Sequence, residues 1–111
     1  MAIEYKDIIS EQLPATDTTL YTVPNPCKSA HIQFANATNK DSGAVSITVN
    51  IVQSGEAVAT SNQYLIKSIT ADGTDSLSAL INCVLKPGDF ISAISDTASA
   101  VNMKLSIKEI Y

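Results

Sequence analysis

The sequence predicts an all-β protein built as a single antiparallel β-sandwich, and three observations support that prediction. Apolar and polar residues alternate with a period of two in several segments, which is typical of strands that face a core on one side and water on the other. Turn-forming residues separate such segments at intervals of roughly ten residues. No segment of helical length has a convincing 3.6-residue apolar period. We therefore expect roughly seven to eight short strands in an immunoglobulin-like or jelly-roll-like sandwich.

The clearest alternation occurs in the segments AVSITVNIV (44–52), SLSALINCVL (76–85) and AVNMKLSIKEI (100–110). Apolar residues occupy every second position there, so each segment has one face suited to a core. Together with shorter extended runs between turn signals, these segments predict strands near residues 3–9, 18–23, 30–36, 44–52, 63–70, 77–85, 90–95 and 101–109.

Turn signals separate the predicted strands. Pro24 and Pro26 cannot donate a backbone hydrogen bond to a sheet, so they mark a strand end and a change of direction. Asp72-Gly73 fits a tight hairpin turn, because both residue types tolerate positive φ. Lys86-Pro87-Gly88-Asp89 places proline and glycine at the two central positions of a type II turn.

The length of 111 residues is that of one domain with a single core. Residues 18–111 hold the predicted sandwich. Residues 1–17 are expected to form an N-terminal arm or an edge strand, and a short helical turn is a third alternative there. The first residues carry acidic groups before any apolar stretch, the reverse of a signal peptide, so we expect no export by that route. No apolar run is long enough to predict a membrane span.

The charge argues against nucleic-acid binding. All seven basic residues are lysines, no arginine is present, and eleven carboxylates give a net charge of −4. The lysines are scattered along the chain, whereas binding to phosphates needs a cluster of cations. The sequence therefore predicts neither a nucleic-acid partner nor a membrane partner.

Few residues could carry chemistry. His31 is the single histidine and falls on the polar face of its predicted strand, so we interpret it as a surface residue. Cys27 and Cys83 are expected to be reduced, although a disulfide stays open if the fold brings their strands together. No nucleophile elbow, metal-ligand spacing or calcium loop is present. We predict no catalytic, cofactor-binding or metal-binding residues and no enzymatic activity.

Several apolar side chains are predicted to point away from the core. Leu80, Val84 and Val52 have the wrong parity for the core face of their strands, and Ile110-Tyr111 ends the chain with two more apolar residues. Two interpretations stay open. Either another subunit covers these side chains, or a bulge shifts the register and they belong to the core.

One order of motifs extends over about residues 18–110. A strand with Tyr21-Thr22-Val23-Pro24 is followed by a strand segment containing Asn36, by a corner at 85–91 and by a closing strand with Val101-Asn102. This order resembles small β-sandwich structural proteins of tailed-bacteriophage virions.

The resemblance implies a non-enzymatic virion protein, above all a capsid decoration (cement) protein that docks on the shell and stabilises it. The implied partner is the major capsid protein or another virion protein, and the implied state is a homo-oligomer, for which a trimer is one arrangement. The implied location is the virion, after assembly in the host cytoplasm. The alternative is a tail- or fibre-associated adhesin, a carbohydrate-binding β-sandwich module with Tyr21 or Tyr64 as stacking residue.

Overall fold

The computed structural model of the chain describes residues 2–111, and Met1, the first residue of the predicted arm, lies outside the described residues. Two short 3₁₀ turns, Thr60–Asn62 and Ser78–Leu80, interrupt a structure that otherwise consists of strands and loops. The strands are β1 (Ile3–Tyr5), β2 (Ile9–Gln12), β3 (Thr18–Thr22), β4 (Ser29–Asn39), β5 (Val45–Val52), β6 (Gln63–Ile69), β7 (Thr74–Ser76), β8 (Val84–Leu85), β9 (Phe90–Ser95) and β10 (Val101–Ile110).

The strands form two antiparallel sheets that pack face to face. Sheet A has the order β1–β10–β4–β7, with β2 also paired to β10 and β8 also paired to β4. Sheet B has the order β3–β9–β5–β6. Since β1 and β2 occupy successive lengths of one side of β10, and β7 and β8 do the same beside β4, each sheet is four strands wide. This order is that of a jelly roll, and the prediction of an all-β antiparallel sandwich is confirmed.

The core lies between the two sheets and is formed by every second residue of the long strands. In β10, Val101, Met103, Leu105 and Ile107 are buried, whereas the residues between them are half-buried or exposed. The same alternation in β4 shifts by one residue opposite the bulge that lies between Ser106 and Ile107. The two-residue period of the sequence therefore sets which face of each sheet turns inward.

The first 17 residues contain β1 and β2, which form one edge of sheet A. Backbone hydrogen bonds from Ala2 N to Tyr111 O (3.1 Å) and from Lys6 N to Ile107 O (3.0 Å) extend the pairing of β1 with β10. All three residues of β1 are exposed, whereas Leu13, just after β2, is fully buried in the core. Backbone hydrogen bonds therefore attach β1 to the sandwich, and the buried side chain of Leu13 anchors the segment after β2.

The segment 77–85 is not a single strand, and that prediction is wrong. Ser78–Leu80 forms a 3₁₀ turn, in which residues three apart lie on the same side. Leu77 and Leu80 are therefore both buried in the core, and within this segment only Val84–Leu85 is extended. The alternation of the sequence was compatible with a strand, but the 3₁₀ period places Leu80 inward.

The two predicted turns differ in outcome. At Asp72-Gly73 the chain does turn, since Gly73 N donates to Thr70 O at 3.0 Å and Asp72 has φ of 53°. The predicted hairpin is wrong, because β6 before the turn lies in sheet B and β7 after it lies in sheet A. The turn at 86–89 forms as predicted, with φ of 86° at Gly88 and a 3.0 Å bond from Asp89 N to Lys86 O.

Candidate functional site

The candidate site is the outer face of sheet A, the side turned away from sheet B. Its position follows from the strand register, because residues paired across antiparallel strands point to the same side. Tyr5 pairs with Lys108, Lys108 with His31, and His31 with Val84, so these four residues form one row across β1, β10, β4 and β8. The neighbours Ala30 and Ile32 of His31 are buried, which places the whole row on the outer side.

Exposed apolar side chains concentrate on this face. Ile3, Tyr5, Phe34 and Val84 are 48%, 69%, 41% and 52% exposed, and they are half of the eight large hydrophobic side chains that are exposed in residues 2–111. Ile3 pairs with Ile110, and Phe34 pairs with Ser106 beside the β4–β10 bulge. Apolar side chains grouped on one face, unlike scattered ones, mark an interaction surface.

The outer face of sheet A is also basic. Its outward-facing paired positions include Lys104, Lys108 and His31, and no carboxylate occupies such a position among the described residues of sheet A. Lys104 is exposed and its Nζ lies 2.8 Å from the hydroxyl of Ser10, another residue of the face. Glu11 of the edge strand β2 lines a cleft of this face together with Lys104, so a carboxylate lies at the edge of the face whereas Lys104 and Lys108 lie on its central strand β10. On a chain of net charge −4, that central strand carries a local positive charge.

Only some of the apolar residues that the sequence predicted to point outward belong to this face. Val84 is exposed there, and Ile110-Tyr111 is half-buried. Val52 and Leu80 are fully buried, so neither is an exposed side chain for another subunit to cover, and Leu80 belongs to the core as the second interpretation stated. Leu80 turns inward through the 3₁₀ turn, whereas Val52 keeps its outward parity opposite Phe90 and is buried apart from the main core cluster.

Sequence reasoning missed Ile3, Tyr5 and Phe34 as members of one surface. Their grouping depends on which strands become neighbours and in which register, and both are set by pairings between distant parts of the chain. The two-residue period placed Phe34 on the same face as Ala30 and Ile32, opposite to His31 and Gln33. A bulge changes its parity, and a bulge leaves no clear mark in a single sequence.

His31 lies half-buried in the middle of this face, as the surface interpretation expected. Its cross-strand neighbours are Lys108 and Val84, and neither is a hydroxyl or thiol nucleophile or a carboxylate that would orient a catalytic imidazole. The described residues contain no group of three or more histidines, cysteines or carboxylates that could hold a metal ion. The surroundings of His31 thus suit a surface contact.

Both cysteines are free thiols in different environments. The Cys27 thiol is buried and donates to Ser29 O at 2.9 Å and to Ile110 O at 3.3 Å. The Cys83 thiol is half-buried and donates to the Tyr64 hydroxyl at 3.0 Å, which in turn donates to Ala79 O at 3.0 Å. The hydrogen bond with Cys83, together with partial desolvation, raises the pKa of Tyr64.

Glu109 is the one carboxylate among the buried polar residues of the described chain. The hydroxyl of Tyr21 donates to its Oε2, and the hydroxyl of Tyr111 donates to its Oε1 at 2.9 Å. Burial and the hydrogen bond to Glu109 raise the pKa of Tyr21. The separate hydrogen bond from Tyr111 to Glu109 is the main cause that raises the pKa of Tyr111 to about 12. Oε2 of Glu109 therefore connects β10 to β3, whereas Oε1 holds the side chain of Tyr111 at the end of the same strand.

A polar groove lies at the edge where β6 and β8 approach each other. The side chain of Tyr64, which is 46% exposed, and that of Val84 line one part of it. The volume is about 560 Å³, within the range of roughly 300–1,000 Å³ typical of small-molecule sites. The other polar residues that line the groove are Gln53, Glu56, Ser61, Asn62, Gln63 and Asp89.

Comparison with known proteins supports the fold. No protein-family model and no curated protein matches the chain. Among solved structures, it is similar to a chain of the structure described as "Bacillus endospore appendages form a novel family of disulfide-linked pili". That similarity has a TM-score of 0.57 and 14% sequence identity, and it covers 97% of this chain and 88% of the other. With 14% sequence identity, this similarity shows that the two proteins share a fold. Within residues 2–111, no helix has the length and apolar character needed to cross a membrane.

Proposed function

We propose that the protein is a non-enzymatic structural subunit that docks in a larger assembly through the outer face of sheet A. The observation that carries the proposal is the combination of four exposed apolar side chains with two lysines, Lys104 and Lys108, on one face of sheet A. The apolar residues are Ile3, Tyr5, Phe34 and Val84. Covering apolar surface stabilises a contact by about 25 cal/mol per Å² before the costs of association are subtracted. The lysines favour a partner surface that is acidic as well as apolar.

The setting we propose is a virion, where the protein acts as a capsid decoration protein on the shell. The resemblance of residues 18–110 to small virion β-sandwich proteins supports this setting. The structural neighbour comes from endospore appendages described as disulfide-linked pili, and this supports the broader proposal of a structural subunit. The partner in the virion setting is the major capsid protein or another virion protein.

Binding of the purified protein to particles tests the proposed docking face. The wild-type protein is expected to co-sediment with intact virion particles. Phe34→Glu is expected to lose that binding, because it replaces an exposed apolar side chain of the face by a carboxylate. The matched control is Ser42→Glu, which adds the same charge at an exposed turn outside both sheets. Loss of binding in both variants, or in neither, would contradict the proposed face.

A second function is favoured by one specific observation, the polar groove beside Tyr64. An exposed aromatic ring next to amide and carboxylate side chains is the combination that binds neutral saccharides, by stacking and hydrogen bonding. Lysine and arginine do not line the groove, so a neutral sugar fits it better than an anionic one. Tyr21, the other candidate from the sequence, is only 6% exposed and offers no stacking surface.

Glycan-array binding followed by saturation-transfer NMR tests this second function. Binding of a neutral glycan is expected to weaken at least tenfold in Tyr64→Ala, of the order that one stacked aromatic ring contributes. Tyr5→Ala is the matched control, because Tyr5 is an exposed tyrosine outside the groove. If no neutral glycan binds, or if both variants bind equally, the groove is not a saccharide site.

A further inference from the structure

The outer face of sheet B is the opposite surface of the sandwich and differs in charge from the outer face of sheet A. Its central row runs from Ile66 in β6 to Thr48 in β5 and Ile94 in β9. Ile66 is 62% exposed, and Thr48 and Ile94 are half-buried. The strand positions that pair on this side carry no charged residue in the described chain.

Carboxylates flank that row on the same surface. Asp17 accepts a hydrogen bond from the outward side chain of Asn50 at 3.3 Å, and Asp96 accepts one from the backbone of Ser46 at 3.2 Å. Asp96 lines a shallow cleft with Thr48 and Ile94, and Asp17 lines a neighbouring cleft with the same two residues. The outer face of sheet B therefore has one exposed apolar side chain, Ile66, among hydroxyl and amide side chains, and carboxylates lie beside them. The outer face of sheet A instead combines several exposed apolar side chains with lysines.

We infer that copies of this chain stack head to tail, with the outer face of sheet A of one copy against the outer face of sheet B of the next. The inference rests on the proposed function and names a second copy as a partner of the docking face. A contact between two sheet A faces would oppose Lys104 and Lys108 of one copy to those of the other, and like charges disfavour it. The sheet A–sheet B contact instead places lysines near Asp17 and Asp96.

The geometry of the sandwich makes this contact open-ended. The two faces lie on opposite sides of one molecule, so a copy that has used one face still presents the other. Heterologous contacts of this kind propagate into filaments unless a rotation closes them into a ring. The longer dimensions of the molecule, 46 and 26 Å, provide a face large enough for the approximately 800 Å² per partner that a standard interface buries.

A charge-exchange experiment on the full chain tests the inference. Sedimentation velocity over a concentration series at low salt is expected to show wild-type species that grow beyond a dimer and that dissociate at high salt. Lys108→Glu reverses the charge at the centre of the sheet A face, and Thr48→Lys adds a cation at the centre of the sheet B face. Each is expected to weaken self-association at least tenfold, because each places like charges opposite one another.

The double variant Lys108→Glu/Thr48→Lys is the decisive sample. If the two faces meet, the new glutamate and the new lysine attract each other, and self-association recovers to within a few-fold of wild type. Ser42→Glu and Ser42→Lys are controls for net charge and are expected to behave as wild type. Circular dichroism checks that every variant keeps its strand content.

Three results would overturn the inference. A wild-type protein that stays monomeric at every concentration and salt level excludes stacking of copies. A Thr48→Lys variant that associates like wild type excludes the sheet B face, and a double variant that associates no better than either single variant shows that the two faces do not meet. The docking function has an independent readout in the particle-binding assay, so failure of stacking and failure of docking are distinguishable.

Discussion

At each end of the paired strands β4 and β10, one buried polar side chain forms hydrogen bonds to the opposite sheet, and the two side chains do so in different ways. Asn39 ends β4 opposite Val101, and Glu109 lies near the end of β10 opposite Ala30. Both belong to sheet A and bond to residues of sheet B, Asn39 to Ile69 and Glu109 to Tyr21. The comparison shows two ways of joining the layers of a sandwich at its ends.

Asn39 joins the layers as a neutral group that both donates and accepts. Its amide nitrogen donates to the carbonyl oxygens of Gly43 (2.9 Å), Ile69 (2.9 Å) and Thr70 (3.2 Å), and its oxygen accepts from the backbone of Asp41 at 2.8 Å. Asn39 therefore links the turn at 40–43 and the turn that begins at Thr70 to the end of β4. Because the amide does not titrate, this connection is independent of pH.

Glu109 joins the layers as an acceptor that depends on two phenol donors. The hydroxyls of Tyr21 and Tyr111 each bind one of its oxygens. A buried acceptor that loses one donor retains part of its desolvation cost, so this connection is sensitive to any change in either tyrosine. The phenols also titrate, so this end of the molecule responds to alkaline pH whereas the Asn39 end does not.

Removal of the Asn39 side chain is expected to have the largest effect on stability. Asn39→Ala leaves two turns without their shared partner and should lower the free energy of unfolding by about 3 kcal/mol or more, because each buried group left unpaired costs about 1–3 kcal/mol. Urea unfolding at neutral pH measures this loss. Asn36→Ala, on the outer side of the same strand, is the matched control and should change stability by less than about 0.5 kcal/mol. Equal effects in the two variants would disprove the role assigned to Asn39.

Loss of one phenol donor is expected to have the second largest effect. Tyr21→Phe keeps the ring in the core but removes the hydroxyl that donates to Glu109, and should cost roughly 1–3 kcal/mol. Tyr5→Phe removes a hydroxyl from an exposed tyrosine and serves as control. If Tyr21→Phe unfolds at the same urea concentration as wild type, water replaces the phenol and the closure at this end is weaker than the structure indicates.

These two ends also show what a sequence can predict. The alternation of β5 and β10 gave the fold class and the inward residues, because a strand in a sandwich has one buried face wherever it pairs. Glu109 and Asn39 lie at inward positions of their strands, where the two-residue period alone predicts apolar residues. Their partners Tyr21 and Ile69 come from strands distant in sequence, so neither connection was visible.

The candidate site was predictable to a smaller degree. Val84 was predicted to be outward and is exposed. Leu80 turns into the core through a 3₁₀ turn, and Val52 is buried although it keeps its predicted outward parity, and a two-residue period predicts neither outcome. The row through Tyr5 and Phe34 depends on strand neighbours that long-range pairing decides. The face became visible only when the sheet order was known.

Alkaline pH is expected to loosen the Glu109 end selectively. The pKa of Tyr111 is raised from 10.0 to about 12, so between these values the folded protein holds a proton that the unfolded chain has released. Stability from this group is therefore complete below pH 10 and falls as the pH rises towards 12. Tyr111→Phe should flatten this fall in urea-unfolding midpoints measured across that range. An unchanged slope in Tyr111→Phe would contradict the proposed linkage.

The smallest effect is expected for a third connection between the layers, located at an open edge rather than at an end. Lys67 in β6 of sheet B lies 3.7 Å from Asp75 in β7 of sheet A, with side chains 45% and 30% exposed. Water and salt screen such a pair, so Lys67→Ala should lower the free energy of unfolding by about 0.2–1 kcal/mol. A double-mutant cycle with Asp75→Ala at low and high salt isolates the coupling, which should shrink as salt is added. A coupling as large as that between Tyr21 and Glu109 would show that burial is not what separates the strong connections from the weak one.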